Sequence, residues 1–146
     1  MDGTEAAGGF VNPPDTQVAA FLRDMKRVAV IGISDRADRA SHGIAKFLAG
    51  AGYDVVGVNP LLQETLGRPV YPTLSEAPGR FDLVDVFRRS DAVPAIVDEA
   101  IATGARGLWL QEDVVHPEAA ARARAAGLFV VMDRCIYKEW LRLLNA

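Results

Sequence analysis

The sequence has little cysteine and no long apolar run. Cys135 is its one cysteine, so no disulfide can form within the chain, which is typical of proteins from a reducing compartment. No apolar stretch approaches the roughly 18 residues that a membrane helix needs, and no charged region precedes an apolar core near Met1. We therefore expect a soluble cytoplasmic protein that has no membrane partner.

An excess of charge of one sign is also lacking. The chain carries 16 basic and 19 acidic residues, a net charge of −3, and they are interspersed without a basic run. This balance argues against a general nucleic-acid-binding surface. Half of the 146 residues are apolar, which fits one domain with a sizeable core. Residues 1–14 are small, polar and turn-forming, so we predict a flexible N-terminal segment followed by a single domain over residues 15–146.

The common phosphate-binding and catalytic patterns are absent as well. Gly32 is followed by Ile33 and Ser34, which breaks the glycine spacing of a dinucleotide fingerprint, and no Walker A loop occurs. Asn59-Pro60 stands where an NAD site usually has an acid. The sequence has no Gly-x-Ser-x-Gly elbow, no convincing carboxylate pair and no zinc-ligand spacing. It therefore shows no complete catalytic constellation and no metal site.

The sequence does contain a regular alternation of short apolar runs with helical stretches of about ten residues. This alternation predicts an α/β, Rossmann-like, doubly wound fold of three layers with a mainly parallel five-stranded sheet. A further short strand is possible at 69–71. In such sheets ligands bind outside the carboxyl ends of the strands. The main strands are expected at 28–33, 53–58, 82–87, 107–111 and 128–132.

The loop after the first strand, within VAVIGISDRADRASHGIAKFL, is the strongest local signal. Gly32 would let the backbone approach a ligand, Ser34 and Ser41 offer hydroxyls, and Arg36 and Arg39 offer positive charge. A helix that begins near Ser41 would add free N–H groups at its positive end. The loop is therefore a candidate anion site. The alternative is a solvated turn in which Ser41 only caps the helix.

Other strand ends also carry candidate residues. Asn59-Pro60 is either a simple turn or a source of an amide and a flat apolar ring for a purine. The Arg88-Arg89 pair follows a buried strand, and it either binds phosphate or remains solvated or paired with a neighbouring aspartate.

Cys135 follows the last strand and allows three interpretations. It is a buried small hydrophobic residue, a catalytic nucleophile, or a neighbour of the reactive end of a ligand. A nucleophile usually needs a base within reach. His42 lies in the first loop, but nothing in the sequence places it beside Cys135.

Taken together, four stretches resemble one family. They are VAVIGISDRADRASHGIAKFL, GYDVVGVNP, DLVDVFRRSDAVPAIVDEAIATGARGLWLQ and AAGLFVVMDRCIYKEW. In this order and spacing they resemble the small stand-alone CoA-binding proteins, whose fold is similar to the CoA-binding domain of the succinyl-CoA synthetase α subunit. The resemblance covers about residues 27–143. It implies a protein that binds coenzyme A or an acyl-CoA as a sensor, carrier or presenting module. It implies no catalysis, because the synthetase's phosphorylated histidine and nucleotide-grasp partner have no counterpart in these residues.

The resemblance also implies roles for individual residues. His42 is included among the binding candidates, although the family often has an aromatic residue there. The others are Ser34, Arg39 and Ser41 at the phosphates beside the Gly32-Ile33 backbone, Asn59 and Pro60 at the adenine and ribose, Phe87 and Arg88 along the pantetheine arm, and Gln111 and Cys135 toward the thiol.

Two other functional hypotheses remain open at this point. One is a thiol-dependent enzyme that uses Cys135 in acyl transfer or in disulfide exchange with CoA. The other is a subunit of a larger acyl-CoA enzyme. A protein partner or a second copy of the chain could bind near Trp140 and Leu143, although such residues more often pack onto their own domain.

Overall fold

The computed structural model describes residues 9–145. The helices are α1 (Asp15–Asp24), α2 (Ala40–Gly50), α3 (Val93–Ala102), α4 (Pro117–Ala125) and α5 (Ile136–Leu144). The strands are β1 (Arg27–Ile31), β2 (Asp54–Val58), β3 (Glu64–Thr65), β4 (Arg68–Tyr71), β5 (Leu83–Val86), β6 (Gly107–Leu110) and β7 (Phe129–Val131). A turn of 3-10 helix over Ser90–Ala92 leads into α3.

All seven strands lie in one sheet, in the order β3-β4-β2-β1-β5-β6-β7. Among the strands of residues 9–145, only the β3–β4 pair is antiparallel. The other strands, counted in chain order, follow the arrangement of a Rossmann fold, and the order reverses at the β1–β5 pair. The predicted fold class is confirmed, but the count of five strands is only approximate. The short strand expected at 69–71 is β4, and the two residues of β3 are too few to produce a recognisable period.

The sheet is covered on both faces. Side chains of α3 and α4 pack on one face, and those of α1, α2 and α5 pack on the other. Strands that are buried on both sides must be apolar throughout, which explains the continuous apolar runs of β1 and β6. Asp85, in the middle of β5, is a fully buried exception.

Two helix starts show how the sequence sets the element boundaries. His116 caps α4, because its Nδ1 accepts a hydrogen bond from the Ala119 N–H at 3.1 Å, and Pro117 follows at the first helical position. Helix α2 begins one residue earlier than expected, at Ala40, with Arg39 in the capping position. The interpretation of Ser41 as a helix cap is therefore wrong, because Ser41 lies inside the first turn and is buried.

Part of the N-terminal segment packs against the domain. Residues 1–8 lie outside the described residues, but Phe10 and Asn12 are buried. The Asn12 amide donates a hydrogen bond to the Met132 carbonyl at 3.0 Å, and its oxygen accepts one from the Met132 N–H at 2.7 Å. The predicted flexible segment therefore does not extend to these residues. Between residues 9 and 145, no helix has the length and apolar character needed to span a membrane.

Candidate functional site

The carboxyl ends of the parallel strands form one edge of the sheet, here called the carboxyl edge. The strand pairings place the residues that follow β1, β2, β5, β6 and β7 along this edge. The Rossmann architecture predicts a ligand site where the strand order reverses, at the ends of β1 and β5.

A cavity of about 430 Å³ opens at this point and is here called the edge cavity. Its volume lies within the range of small-molecule sites. Its lining includes seven of the predicted site residues: Gly32, Ile33, Ser34, Arg39, Ser41, Asn59 and Phe87. It also includes Arg36, which the sequence offered as a source of charge in the loop. Four further lining residues were not predicted: Asp35, Ala40, Leu61 and Leu62.

Gly32 brings the ends of β1 and β5 close together. Its φ is +87°, and a Cβ atom there would stand 2.2 Å from the Phe87 carbonyl oxygen. Its N–H donates to the Val58 carbonyl at 2.8 Å, while the Phe87 N–H donates to the Ile31 carbonyl at 2.8 Å. The glycine is therefore required by the packing of the protein backbone, in addition to any approach of a ligand.

The loop between β1 and α2 is held by its own polar groups. The Ser34 hydroxyl accepts a hydrogen bond from the Arg36 N–H at 3.1 Å. The His42 Nδ1 donates to the Ser34 carbonyl at 2.9 Å, because a carbonyl oxygen can only accept. His42 therefore ties the first turn of α2 to the loop, and it is not among the residues that line the edge cavity.

The edge cavity is suited to an anion. The Ala40 and Ser41 N–H groups have no acceptor among the described residues, and the positive end of the helix dipole points the same way. The next two N–H groups of α2 donate to the Arg39 carbonyl. The side chain of Arg39 lines the cavity and forms no hydrogen bond or ion pair with another residue of 9–145. Free N–H groups and an uncommitted guanidinium are donors that suit phosphate oxygens.

The Arg88-Arg89 pair divides into two different environments. The Arg89 guanidinium forms an exposed ion pair with Asp91 at 3.0 Å. The Arg88 side chain has no such partner among the described residues, and its Cδ atom lies 3.0 Å from the point that a Cβ atom on Gly32 would occupy. Arg89 is therefore paired with a neighbouring aspartate, which was one of the alternatives for these two arginines. The side chain of Arg88 remains available to a ligand.

Pro60 and Arg88 line a second cavity, of about 220 Å³, on the side of the sheet that α3 covers. Its walls are mostly apolar, and Thr73 and Glu99 add polar groups. This cavity begins where the chain leaves β2, beside the edge cavity. The predicted site residues thus lie on both sides of the sheet edge.

Asn59 joins two elements of the site. Its amide nitrogen donates to the Ile33 carbonyl at 2.8 Å, and its oxygen accepts from the Leu61 N–H at 2.8 Å. The side chain therefore holds the end of β2 against the loop after β1. In this arrangement Asn59 shapes the edge cavity with both of its polar groups already bonded.

Gln111 and Cys135 come together at the start of α5. The Gln111 Oε1 accepts a hydrogen bond from the Ile136 N–H at 3.2 Å, so Gln111 caps the helix through space. Both residues are buried and neither lines the two cavities above. Cys135 packs in the apolar layer beneath α2 and α5, which favours the interpretation of a small buried hydrophobic residue.

Asp85 is the buried polar group that the sequence did not lead us to expect. It is 0% exposed, and within residues 9–145 neither carboxylate oxygen has a hydrogen-bond partner. Its neighbours across the sheet are Val30 and Trp109. Burial raises the pKa of the Asp85 carboxyl well above its usual value.

The aromatic residues of α5 pack within the domain. The Trp140 Nε1 donates to the Tyr53 hydroxyl at 3.0 Å, and its ring meets Phe47 edge-on. Leu143 is partly buried against the same core. These contacts favour packing onto the protein's own domain over the alternative of an interface at Trp140 and Leu143.

Comparison with known proteins identifies the family. The family described as "CoA binding domain" matches residues 26–140, most of the chain. The chain belongs to the CoA-binding domain family. This confirms the resemblance inferred from the four sequence stretches and supports CoA binding in general.

Two relatives match the CoA-binding domain over nearly its whole length. This chain is 40% identical over 125 residues to "Uncharacterized protein YneT" of Bacillus subtilis, and the match covers 86% of this chain and 93% of YneT. A solved structure of a hypothetical protein from Pyrococcus horikoshii OT3 is 34% identical, with a TM-score of 0.89 and 99% of each chain covered.

A third relative is a much larger protein. The CoA-binding domain is 36% identical over 74 residues to "Acetate--CoA ligase [ADP-forming] I" of Archaeoglobus fulgidus. That match covers 51% of this chain but only 11% of the ligase.

Proposed function

We propose that this protein binds coenzyme A or an acyl-CoA along the carboxyl edge of its sheet and does not itself catalyse a reaction. The observation that supports this most strongly is the edge cavity, which opens at the reversal of strand order beside the free end of α2 and the unpaired Arg39. The family match supports CoA as the ligand. Bound CoA would contribute a thiol that carries an acyl group.

The residues of the edge cavity would hold the phosphates. Ser34, Arg39 and the first turn of α2 supply hydroxyl, guanidinium and N–H donors on one side of the cavity. Arg88 adds an uncommitted positive charge at the border of the neighbouring cavity. This donor set fits a molecule with several phosphate groups.

The rest of the ligand would lie along the same edge. Asn59 and Pro60 would border the adenine and ribose, and Phe87 would line the path of the pantetheine arm. Gln111 and Cys135, which meet at the start of α5, would lie toward the thiol.

The contacts of Cys135 and His42 support binding without chemistry. Cys135 is 8% exposed within an apolar layer, and among residues 9–145 no hydrogen bond joins its thiol to His42, the candidate base. A nucleophilic thiol usually needs a base within reach. A sensor, carrier or presenting module is therefore the role that we propose.

Substitution of the arginines tests the proposal. We expect Arg39→Gln and Arg88→Gln each to weaken CoA binding about tenfold and to reduce its salt dependence, because each removes a charge that would face phosphate. Arg89→Gln is the matched control, since Arg89 is already paired with Asp91 and lines neither cavity. Calorimetric titration at low and high salt measures both effects. Equal losses in all three variants would contradict the assignment of these residues.

A further inference from the structure

A third depression lies between α2 and α5, and we call it the α2–α5 groove. It has a volume of about 450 Å³ and is lined by Ala40, Gly43, Ile44, Lys46, Phe47 and Tyr137. No acidic residue lines it, and Lys46 carries its one charge. A lysine can lay its aliphatic stem along an apolar surface while its ammonium group stays in water. The groove is therefore suited to an uncharged, apolar occupant.

The groove has aromatic walls and an open floor. The rings of Phe47 and Tyr137 meet edge-on with centroids 4.7 Å apart, and Tyr137 remains 39% exposed. Gly43 lies in the first half of α2, where a Cβ atom would meet nothing within 4 Å. A larger residue at this position would fill part of the space, so the glycine keeps the groove open.

The groove adjoins the proposed ligand site at the start of α2. Ala40, in the first turn of α2, lines both the edge cavity and the groove. Tyr137 stands two residues after Cys135, toward which the thiol end of the ligand is assigned. A group attached to that thiol would therefore lie near Tyr137, on the α5 side of the groove.

We infer that the α2–α5 groove receives the acyl group of a bound acyl-CoA, and that the protein prefers apolar acyl chains over free CoA. This inference rests on the proposed function. Each methylene that the groove removes from water is expected to tighten binding about fourfold. Gly43 is then a specificity-determining residue.

Titration of the full chain with CoA, acetyl-CoA and hexanoyl-CoA tests the inference. We expect the wild-type protein to bind hexanoyl-CoA about tenfold or more tightly than CoA. Gly43→Leu should abolish this preference while leaving the affinity for CoA within about twofold, because leucine would occupy the groove and favours a helix more than glycine does. Gly50→Leu is the matched control, since Gly50 lies in the same helix, also has open space around its Cβ position and lines none of the three depressions.

The outcomes separate the inference from the proposed function. If CoA binds but longer acyl chains bind no more tightly, or if Gly43→Leu weakens all three ligands equally, the inference is overturned and the proposed function stands. If folded wild-type protein binds neither CoA nor an acyl-CoA, the proposed function itself fails. Loss of the preference in Gly50→Leu as well would also overturn the role of the groove.

Discussion

Gly32 lies on the carboxyl edge, where β1 and β5 end side by side. Two separate demands act on this residue: a positive φ of +87° and a contact that leaves no room for a Cβ atom. Gly52 shares the first demand, with φ of +103°, but a Cβ atom there would have nothing within 4 Å. The two glycines therefore form a natural pair for separating backbone strain from steric overlap.

We expect Gly52→Ala to lower the free energy of unfolding by about 1 kcal/mol, the cost of a left-handed backbone for alanine. Gly32→Ala should cost about 2 kcal/mol more, because its methyl group would also displace the end of β5. Urea denaturation of both variants provides the comparison. Equal losses would show that the contact with the Phe87 carbonyl relaxes without cost.

Asp85 predicts an unusual dependence of stability on pH. Because burial raises its pKa in the folded protein well above the ordinary value for an aspartate, the folded state keeps a proton that the unfolded state releases. The folded state therefore loses stability as pH rises above about 4, by about 1.4 kcal/mol per pH unit until the folded pKa is reached.

Asp85→Asn removes this titration while preserving the shape of the side chain. We expect the variant to gain stability relative to wild type as pH rises, with the smallest difference near pH of about 4. Urea denaturation over a pH series measures the difference. A difference that stays constant with pH would show that Asp85 ionises in the folded protein as easily as in the unfolded chain.

At the residue scale, the sequence predicted most of the residues after strand ends that the structure brings to the edge cavity. It missed Leu61 and Leu62, which line the edge cavity although they lie in a loop with no period. Leu61 directly follows Asn59-Pro60, and this position after a strand end could have marked it as a lining residue. In the structure its side chain is 87% exposed. The state of Asp85 could not be predicted, because a carboxylate in an apolar strand reveals neither its burial nor its missing partners.

At the scale of elements, the site depends on how loops are tied to strand ends. The Asn59 side chain links β2 to the loop after β1, and the His42 ring links that loop to α2. The edge cavity is therefore shaped by three elements that side-chain hydrogen bonds hold in place.

Substitution of Asn59 tests this link. Asn59→Ala should lower the free energy of unfolding by about 1–2 kcal/mol, because two hydrogen bonds are lost. It should also weaken CoA binding, since the loop and the end of β2 would no longer be held together. Asn59→Asp keeps the acceptor for the Leu61 N–H but places an oxygen against the Ile33 carbonyl, so we expect no rescue. Urea denaturation and calorimetry measure both effects, and unchanged binding in Asn59→Ala would contradict the link.

Helix and strand positions were largely predictable because buried parallel strands must be apolar and helices repeat every 3.6 residues. Helix α2 begins one residue before the predicted start at Ser41, because Arg39 takes the capping position. Its side chain makes no capping hydrogen bond, so the sequence carries no capping signal there. The contact between Asn12 and Met132 joins residues 120 positions apart, and no local pattern reports such a contact.

At the scale of the whole molecule, the order of the strands determines where a ligand can bind. The reversal between β1 and β5 separates the connections that follow those two strands and leaves a crevice at the carboxyl edge. The edge cavity opens at this crevice, and so does the second cavity, which Pro60 and Arg88 line. The α2–α5 groove begins beside it at Ala40. The family match over residues 26–140 includes all of the residues assigned to CoA.

Calorimetric titration of the folded full chain with CoA tests the central claim most directly, with NAD and ATP as comparison ligands. We predict a saturable heat of binding for CoA with one site per chain, and weaker binding of NAD and ATP, which lack the pantetheine arm. Absence of heat with CoA and with acetyl-CoA, in protein shown to be folded, would contradict the account.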